Sequence, residues 1–421
     1  MTDKDVEAQA WLGEPPDNAG EEGGAPGTTA PQAEPAATDA QPIPFEFRGD
    51  AREYFKIWVV NLALTLVTLG IYSPWAKVRK LRYFYGNTYL DGSSFEFLGS
   101  PIAILKGRII AVLAFASYWL AANFYPAANL VLLPVFAVFF PWVFVKTLTF
   151  RSRNSAYRNL TFSYHGGYLQ IAAAYFGLPV LIAAVAVAIF FGAGVPLNLP
   201  GNSPVKLSAE VAGRVGMLLS FVVLGASLAF PYFYYLQKRV FLAPRKFGDS
   251  AFTFEAGPAP FYRLMFKLSF FSVVAMVAIL IVLWLTGAFT KGMPGETVAR
   301  PVYMPIIVAL VVVLAQSLLF VTFITWTRNL VLSAVRIGEA QLGSRLRVGE
   351  IFLLYLTNII AIVCTLGLLT PWAKVRLTRY QMSKTSLLAP QGTENFTGGP
   401  GQSASAVGEE LADFFDLDLA I

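Results

Sequence analysis

The chain has one histidine, His165, and one cysteine, Cys364, so imidazole catalysis, thiolate chemistry and a His/Cys metal cluster are all nearly closed to it. No Walker-type glycine loop, H-E-x-x-H or G-x-S-x-G pattern occurs. His165 precedes Gly166-Gly167, where a turn histidine is the simpler reading. The expectation is a protein that is not an enzyme, with no catalytic residue, cofactor or metal. What is left to do chemistry is charge and polarity in apolar surroundings. Two runs stand out: Trp75, Lys77, Arg79 and Arg82, and Trp372, Lys374, Arg376 and Arg379. A ring at home in both oil and water, followed by closely spaced cations, fits an interfacial helix meeting anionic lipid. A topogenic anchor is the bland reading of these runs, and a specific lipid or ligand site the sharper one. Asn61, Thr65, Asn358 and Thr365 lie in the apolar stretches just upstream, as a candidate polar path or as ordinary hydrogen-bonding groups. Glu53 and Glu350 read as helix N-terminal acids or as partners for Arg82 and Arg379.

The elements that must carry these residues are set by composition. Hydrophobic residues make up 56% of the chain and charged ones 14%, against about 25% charge in soluble domains. Six apolar stretches have near-spanning length, at 109–125, 127–146, 171–194, 213–236, 268–290 and 303–325. They form three pairs. The segments flanking the pairs (74–108, 141–170, 236–267 and 326–350) hold twenty lysines and arginines, while the loops inside them hold four: Lys206, Arg214, Lys291 and Arg300. The positive-inside rule makes the flanking set cytoplasmic. The net charge of +6 therefore points to a lipid bilayer with anionic phospholipids rather than to nucleic acid. The six long spans hold no Asp or Glu at depth, which weakens a proton-driven pump.

A long internal repeat relates 53–83 to 350–380 at a constant offset, with T-L-G-x-x-x-P-W-A-K-V-R-x-x-R-Y in both copies. Ser73 or Thr370 fits an N-cap, and Pro74 or Pro371 the first helical position. A shorter repeat alternates apolar residues and ends at glycine: Phe45-Glu-Phe47-Arg-Gly49, Phe95-Glu-Phe97-Leu-Gly99, Phe162-Ser-Tyr164-His-Gly166, Phe252-Thr-Phe254-Glu-Ala-Gly257 and, more weakly, Leu346-Arg-Val348-Gly349. This predicts five short strands that could pair in a small sheet. The fold expected is an all-α integral membrane protein with six full transmembrane helices in three pairs and two partial or re-entrant segments, plus short cytoplasmic β-strands. Eight spans are the alternative, but they would put the second P-W-A-K-V-R on the far side from the first.

The N-x6-T-L-G-x-x-x-P-W-A-K-V-R segments, the L-D-G-x-x-F-x-F-x-G stretch at 90–99 and R-N-L-V at 328–331 resemble the bacterial family of YjgN-like inner-membrane proteins. The resemblance covers roughly residues 45–384, by the extent of those motifs. It implies a multi-pass protein of the bacterial inner (plasma) membrane, with a domain of unknown function. It supplies no activity or site. Outside it, 1–44 reads as a disordered acidic tail, and 385–421 as a flexible acidic tail with a short helix expected over 408–420. Transport or lipid handling is the leading functional expectation. The alternative is a non-catalytic scaffold or envelope-integrity factor that recruits cytoplasmic partners.

Overall fold

Aromatic side chains alternating along short strands build the base of the molecule. Phe45, Phe95, Phe162, Phe252 and Leu342 each stand opposite an apolar residue of a neighbouring strand: Leu90, Tyr157, Phe247, Ile337 and Leu387. The residues between them face the other way, pairing Glu46 with Tyr89, Ser163 with Lys246 and Thr253 with Arg336. This is the period-two pattern of a sheet with one apolar and one polar face. The computed structural model describes residues 42–125, 127, 129–192, 208–285 and 303–390. Among these, ten antiparallel strands close into a barrel.

The order of elements is a strand–helix–helix–strand unit used five times. The first unit is β1 (Pro42–Phe47), α1 (Ala51–Val67), α2 (Ser73–Gly86) and β2 (Thr88–Leu90). The second is β3 (Ser93–Phe97), α3 (Pro101–Phe124), α4 (Asn129–Arg153) and β4 (Ser155–Tyr157). The third is β5 (Leu160–Tyr164), α5 (Tyr168–Gly192), α6 (Ala209–Leu242) and β6 (Arg245–Phe247). The fourth is β7 (Ser250–Phe254), α7 (Ala259–Leu285), α8 (Tyr303–Ser333) and β8 (Val335–Ile337). The fifth is β9 (Ala340–Ser344), α9 (Val348–Cys364), α10 (Thr370–Ser383) and β10 (Thr385–Leu388). Tight turns join the units. Asp91-Gly92 and Arg158-Asn159 have positive φ at both positions (47° and 71°, 48° and 62°), the hairpin turn that matches strand twist. β1 closes the ring by pairing residues 45–47 with β2 and 42–44 with β10. A ten-stranded barrel has a wider bore than an eight-stranded one, and the large interior side chains fill it. Leu90, Tyr157, Phe247, Phe252, Val335 and Leu387 form one buried cluster there, with Phe45, Phe95 and Phe162 packed on it.

The glycine of the short repeat has a steric cause. The ring of the aromatic residue two positions earlier folds back over it, so a Cβ on Gly49 would stand 2.5 Å from the Phe47 ring, and Gly99 and Gly166 are crowded likewise by Phe97 and Tyr164. In the fifth unit Ser344 ends the strand and there is no ring to accommodate. The fifth strand is accordingly Ala340–Ser344, not the expected Leu346–Gly349, which enters α9.

Each helical pair leaves the barrel and returns to it. Six helices among the described residues are long and apolar enough to cross a membrane. The 34 residues of α6 reach about 51 Å at 1.5 Å per residue, beyond the roughly 30 Å hydrocarbon core, so the lower turns continue down to the barrel. The spans thus agree with the six expected, extended at their barrel ends. The first and last pairs are shorter, and because each starts and ends at the barrel, both copies of P-W-A-K-V-R stand on one side. Buried Pro74 and Pro371 open α2 and α10, whereas Pro141 and Pro231, at the same repeat position, lie inside α4 and α6. Pro141 offers no amide to its own turn, and the Tyr168 hydroxyl donates to the Val138 carbonyl at 2.6 Å nearby.

The closed barrel corrects the all-α expectation: the fold is a helical membrane bundle rooted on an antiparallel β-barrel. Half the strands are three or four residues long, too short to show alternation, and β1 carries Pro42 and Pro44, which argue locally against a strand. Closure joins residues more than 300 positions apart, with Thr385–Leu388 drawn from the start of the stretch expected to be flexible. Of the tail expected over 1–44, residues 42–44 are instead paired in β1, and 1–41, like the short helix expected over 408–420, lie outside the described residues.

Candidate lipid-facing site at the paired half-length hairpins

The T-L-G-x-x-x-P-W segment is a turn code. Asp50 caps α1 by accepting from the amides of Arg52 (2.8 Å) and Glu53 (3.1 Å). Those amides, Glu53 first, hold its carboxyl below the usual range. At the far end Thr68 Oγ1 donates to Leu64 O and accepts from Tyr72 N (2.7 and 2.9 Å). Gly70 N reaches back to Thr65 O at 2.8 Å, with Leu69 and Gly70 left-handed at φ 50° and 90°. Glycine takes that conformation freely. Pro74 then starts the return helix. The second copy lacks the side-chain cap but repeats the turn: Leu369 N donates to Thr365 Oγ1 (3.1 Å), Gly367 N donates to Ile362 O (2.8 Å), and Leu366 and Gly367 have φ 49° and 94°.

The two hairpins are therefore folded back on themselves, not laid flat. α1 has 17 residues, a rise of about 25 Å, short of a roughly 30 Å hydrocarbon core. Asn61 binds its hairpin together by donating to Ala76 O at 3.4 Å, and Asn358 does the same to Ala373 O at 3.3 Å. Thr65 Oγ1 donates to Asn61 O, and Thr365 Oγ1 to Ala361 O. The four candidate path residues thus each serve their own hairpin.

The cations of the two motifs divide by role. Arg82 donates to Gly99 O (3.3 Å), in the next unit, and Arg379 to Gly49 O (2.8 Å), in the first unit. Asn329, at the matching position of the fourth unit, donates to Leu346 O and accepts from Leu346 N (2.9 and 3.0 Å). One helix position thus latches successive units together. Arg376 donates to Thr357 Oγ1 (2.7 Å) and Asn358 Oδ1 (3.3 Å) and lies 5.1 Å over the Trp372 ring. Lys374 sits 5.3 Å over Phe84, across the junction of the last and first units. Trp75 stacks on Tyr72, and Lys77 has a buried ammonium. Arg79 is exposed and makes no polar contact among the described residues, so it is free to meet a lipid phosphate. The acids do not pair with Arg82 or Arg379. Glu53 takes the Tyr83 hydroxyl at 3.3 Å, and Glu350 pairs with Arg347 at 3.2 Å.

Unforeseen in the sequence is the state of the tips. Leu69 is 93% exposed and Leu366 96%, with Val67, Ile71, Val363 and Leu368 exposed beside them. Around the ring α2 packs on α3, α8 on α9 and α10 on α1, so the short hairpins are neighbours between two tall ones. The side chain of Arg108 meets Ser73 at the first tip. Beyond it α3 exposes Ile109, Ile110, Val112, Leu113 and Phe115, residues pointing in several directions around the helix. The clue in the sequence was length: an apolar run of 17 residues, about 25 Å of helix, ending in an apolar turn falls short of a full crossing.

The family model described as "Bacterial protein of unknown function (DUF898)" matches residues 42–414. Among curated proteins, the inner membrane protein YjgN of Escherichia coli O157:H7 is 28% identical over 180 residues, 41% of this chain and 44% of that protein. YjgN of Salmonella typhimurium strain LT2 is 28% identical over 137 residues, 32% of this chain and 35% of that protein. The matched stretch spans less than half the length of these relatives. No solved structure matches the chain.

Proposed function

The chain belongs to this family of bacterial proteins of unknown function and is a multi-pass inner-membrane protein, and from that premise we propose that it handles phospholipid in the notch above its two half-length hairpins. One observation carries the reading: Leu69 and Leu366 are almost wholly exposed at the tips of adjacent hairpins, whose 17-residue helices fall short of a roughly 30 Å hydrocarbon core. Bare leucine at a turn is stable there only against acyl chains. A lipid in the notch has the tips beneath it and α3 and α8 at its sides. The twenty cations of the barrel-side segments favour a cytoplasmic barrel, so the notch opens towards the far leaflet.

The test is photocross-linking in membranes with a phosphatidylglycerol carrying a photoactivatable acyl chain. Adducts are expected on peptides 62–72 and 359–369 and on the upper part of α3. Adducts spread evenly over α5–α8, with the tips unlabelled, would refute lipid occupancy of the notch.

A further inference from the structure

The second helix of each of the three middle units, α4, α6 and α8, turns one face towards the barrel bore. Phe144 and Leu148 of α4 and Phe241 of α6 belong to the cluster that fills the barrel, and Val331 of α8 packs on it. Further along this face, Ser155, Arg245 and Val335 hold matching first positions in β4, β6 and β8. Lys238 and Arg328 hold the position of Leu148. An apolar face has thus received three cations in the third and fourth units.

Arg245 is the most deeply placed, 8% exposed at the barrel mouth. Its guanidinium lies 4.0 Å over the Phe241 ring. It has no hydrogen bond or ion pair among the described residues, and its Nε is buried without an acceptor. Tyr164 stands directly opposite it across the β5–β6 pair. Tyr85, whose hydroxyl is 3.2 Å from Ser155 Oγ, and Arg151 are near enough to act on its charge. Burial is the chief cause lowering its pKa to about 10, so it stays charged at neutral pH. No described carboxylate is available: every Asp and Glu among the described residues is exposed except Glu350, which is half-buried and paired elsewhere. A buried guanidinium needs a counter-charge, and its planar fork fits an oxyanion.

We infer that the barrel mouth is an anion site, in which Arg245, beside Arg151 and the Tyr85 hydroxyl, takes a phosphate group. Lys238 and Arg328, one to two helical turns above on the same face, form a line of positive charge from the membrane to that site. The phosphate belongs to a phospholipid headgroup or to a free anion. The site is separate from the hairpin tips and stands whether or not lipid fills the notch.

The experiment compares the full-length wild type with Arg245→Met and Arg245→Lys in nanodiscs. Thermal unfolding is followed with and without inorganic phosphate in phosphatidylcholine discs, and again in phosphatidylglycerol discs. The wild type is expected to gain several degrees in Tm from phosphate, from phosphatidylglycerol, or from both. Phosphate alone identifies a free anion, and phosphatidylglycerol alone a headgroup. Arg245→Met should lose that gain while unfolding no earlier than wild type in anion-free discs, because methionine needs no counter-charge. Arg245→Lys should keep part of the gain, with at least tenfold weaker phosphate affinity, since lysine lacks the fork. No response of the wild type to either anion would overturn the site. So would a Met variant, or a Lys variant should Met fail to fold, that responds as the wild type does. Acyl cross-linking at residues 62–72 should be the same in all three proteins.

Discussion

The guanidinium of Arg379 donates to the carbonyl of Gly49 at 2.8 Å, tying the last helix of the ring to the start of the first across 330 positions. The same junction holds the β1–β10 pairing, with Ile43 opposite Leu387. Everything between is arranged by neighbour contacts from one unit to the next, so this seam decides whether the ring is closed.

Removing β10 should open it. A chain ending at Lys384 loses Leu387 and Ala389 from the barrel interior and leaves β1 and β9 with bare edges. It is expected to aggregate on size-exclusion chromatography in detergent, whereas a chain ending at Pro390 runs as the full-length protein does. Equal behaviour of the two truncations would show that the barrel does not depend on closure.

Cys364 offers a native probe of depth. It is the only cysteine, it ends α9, and it is exposed at the tip of the second short hairpin. A membrane-impermeant maleimide should fail to label it from either face of sealed vesicles, while a lipid-soluble one succeeds. Labelling by the impermeant reagent from the side opposite the barrel would mean that α9 crosses fully.

The two asparagine clamps should differ in strength. Asn358 accepts from Arg376 as well as donating to Ala373 O, whereas the Oδ1 of Asn61 is buried without a donor. Asn358→Leu removes a partner of a charged group and is expected to cost about 1.5–3 kcal/mol. Asn61→Leu, which deletes a single long hydrogen bond and an unsatisfied oxygen, should cost less than about 1 kcal/mol. Thermal unfolding in one detergent measures both, and a larger loss for Asn61→Leu would contradict the assignment.

The crowded glycines make a matched control. Gly99→Ala pushes a methyl into the Phe97 ring and is expected to destabilise by about 1–3 kcal/mol, as overpacking does. Gly257 has open space where its Cβ would be, so Gly257→Ala should leave Tm nearly unchanged. Equal shifts for both would remove ring packing as the reason for the F-x-F-x-G pattern.

Much of this was legible in the residues, at unequal depth. The six spans followed from apolar length, and the cation distribution put alternate connections together. Four of the five expected strands fell on β1, β3, β5 and β7, while the fifth missed β9, which lacks the aromatic pattern. Hidden were their partners, such as Thr88–Leu90 and Arg245–Phe247, since three residues cannot display a period. Pro74 and Pro141 each precede an asparagine by 13 positions; the same interval separates Pro231 from Pro244 and Pro371 from Lys384, which would have exposed the repeat in four of its five units. The lipid motif was seen as surface charge. Folding turned Arg82 and Arg379 into latches, and the segments expected to be partial or re-entrant became folded-back hairpins whose bare tips no charge marks.

Because all five units leave and re-enter through the same barrel, they are parallel copies about one axis normal to the bilayer, and none is upside down relative to another. Carriers that rock two mirror-related halves around a mid-membrane site depend on inverted repeats. The units of this architecture are parallel instead. Its two faces are unlike by construction, and its unequal units give it a front, so any lipid or anion it engages does so from a fixed direction.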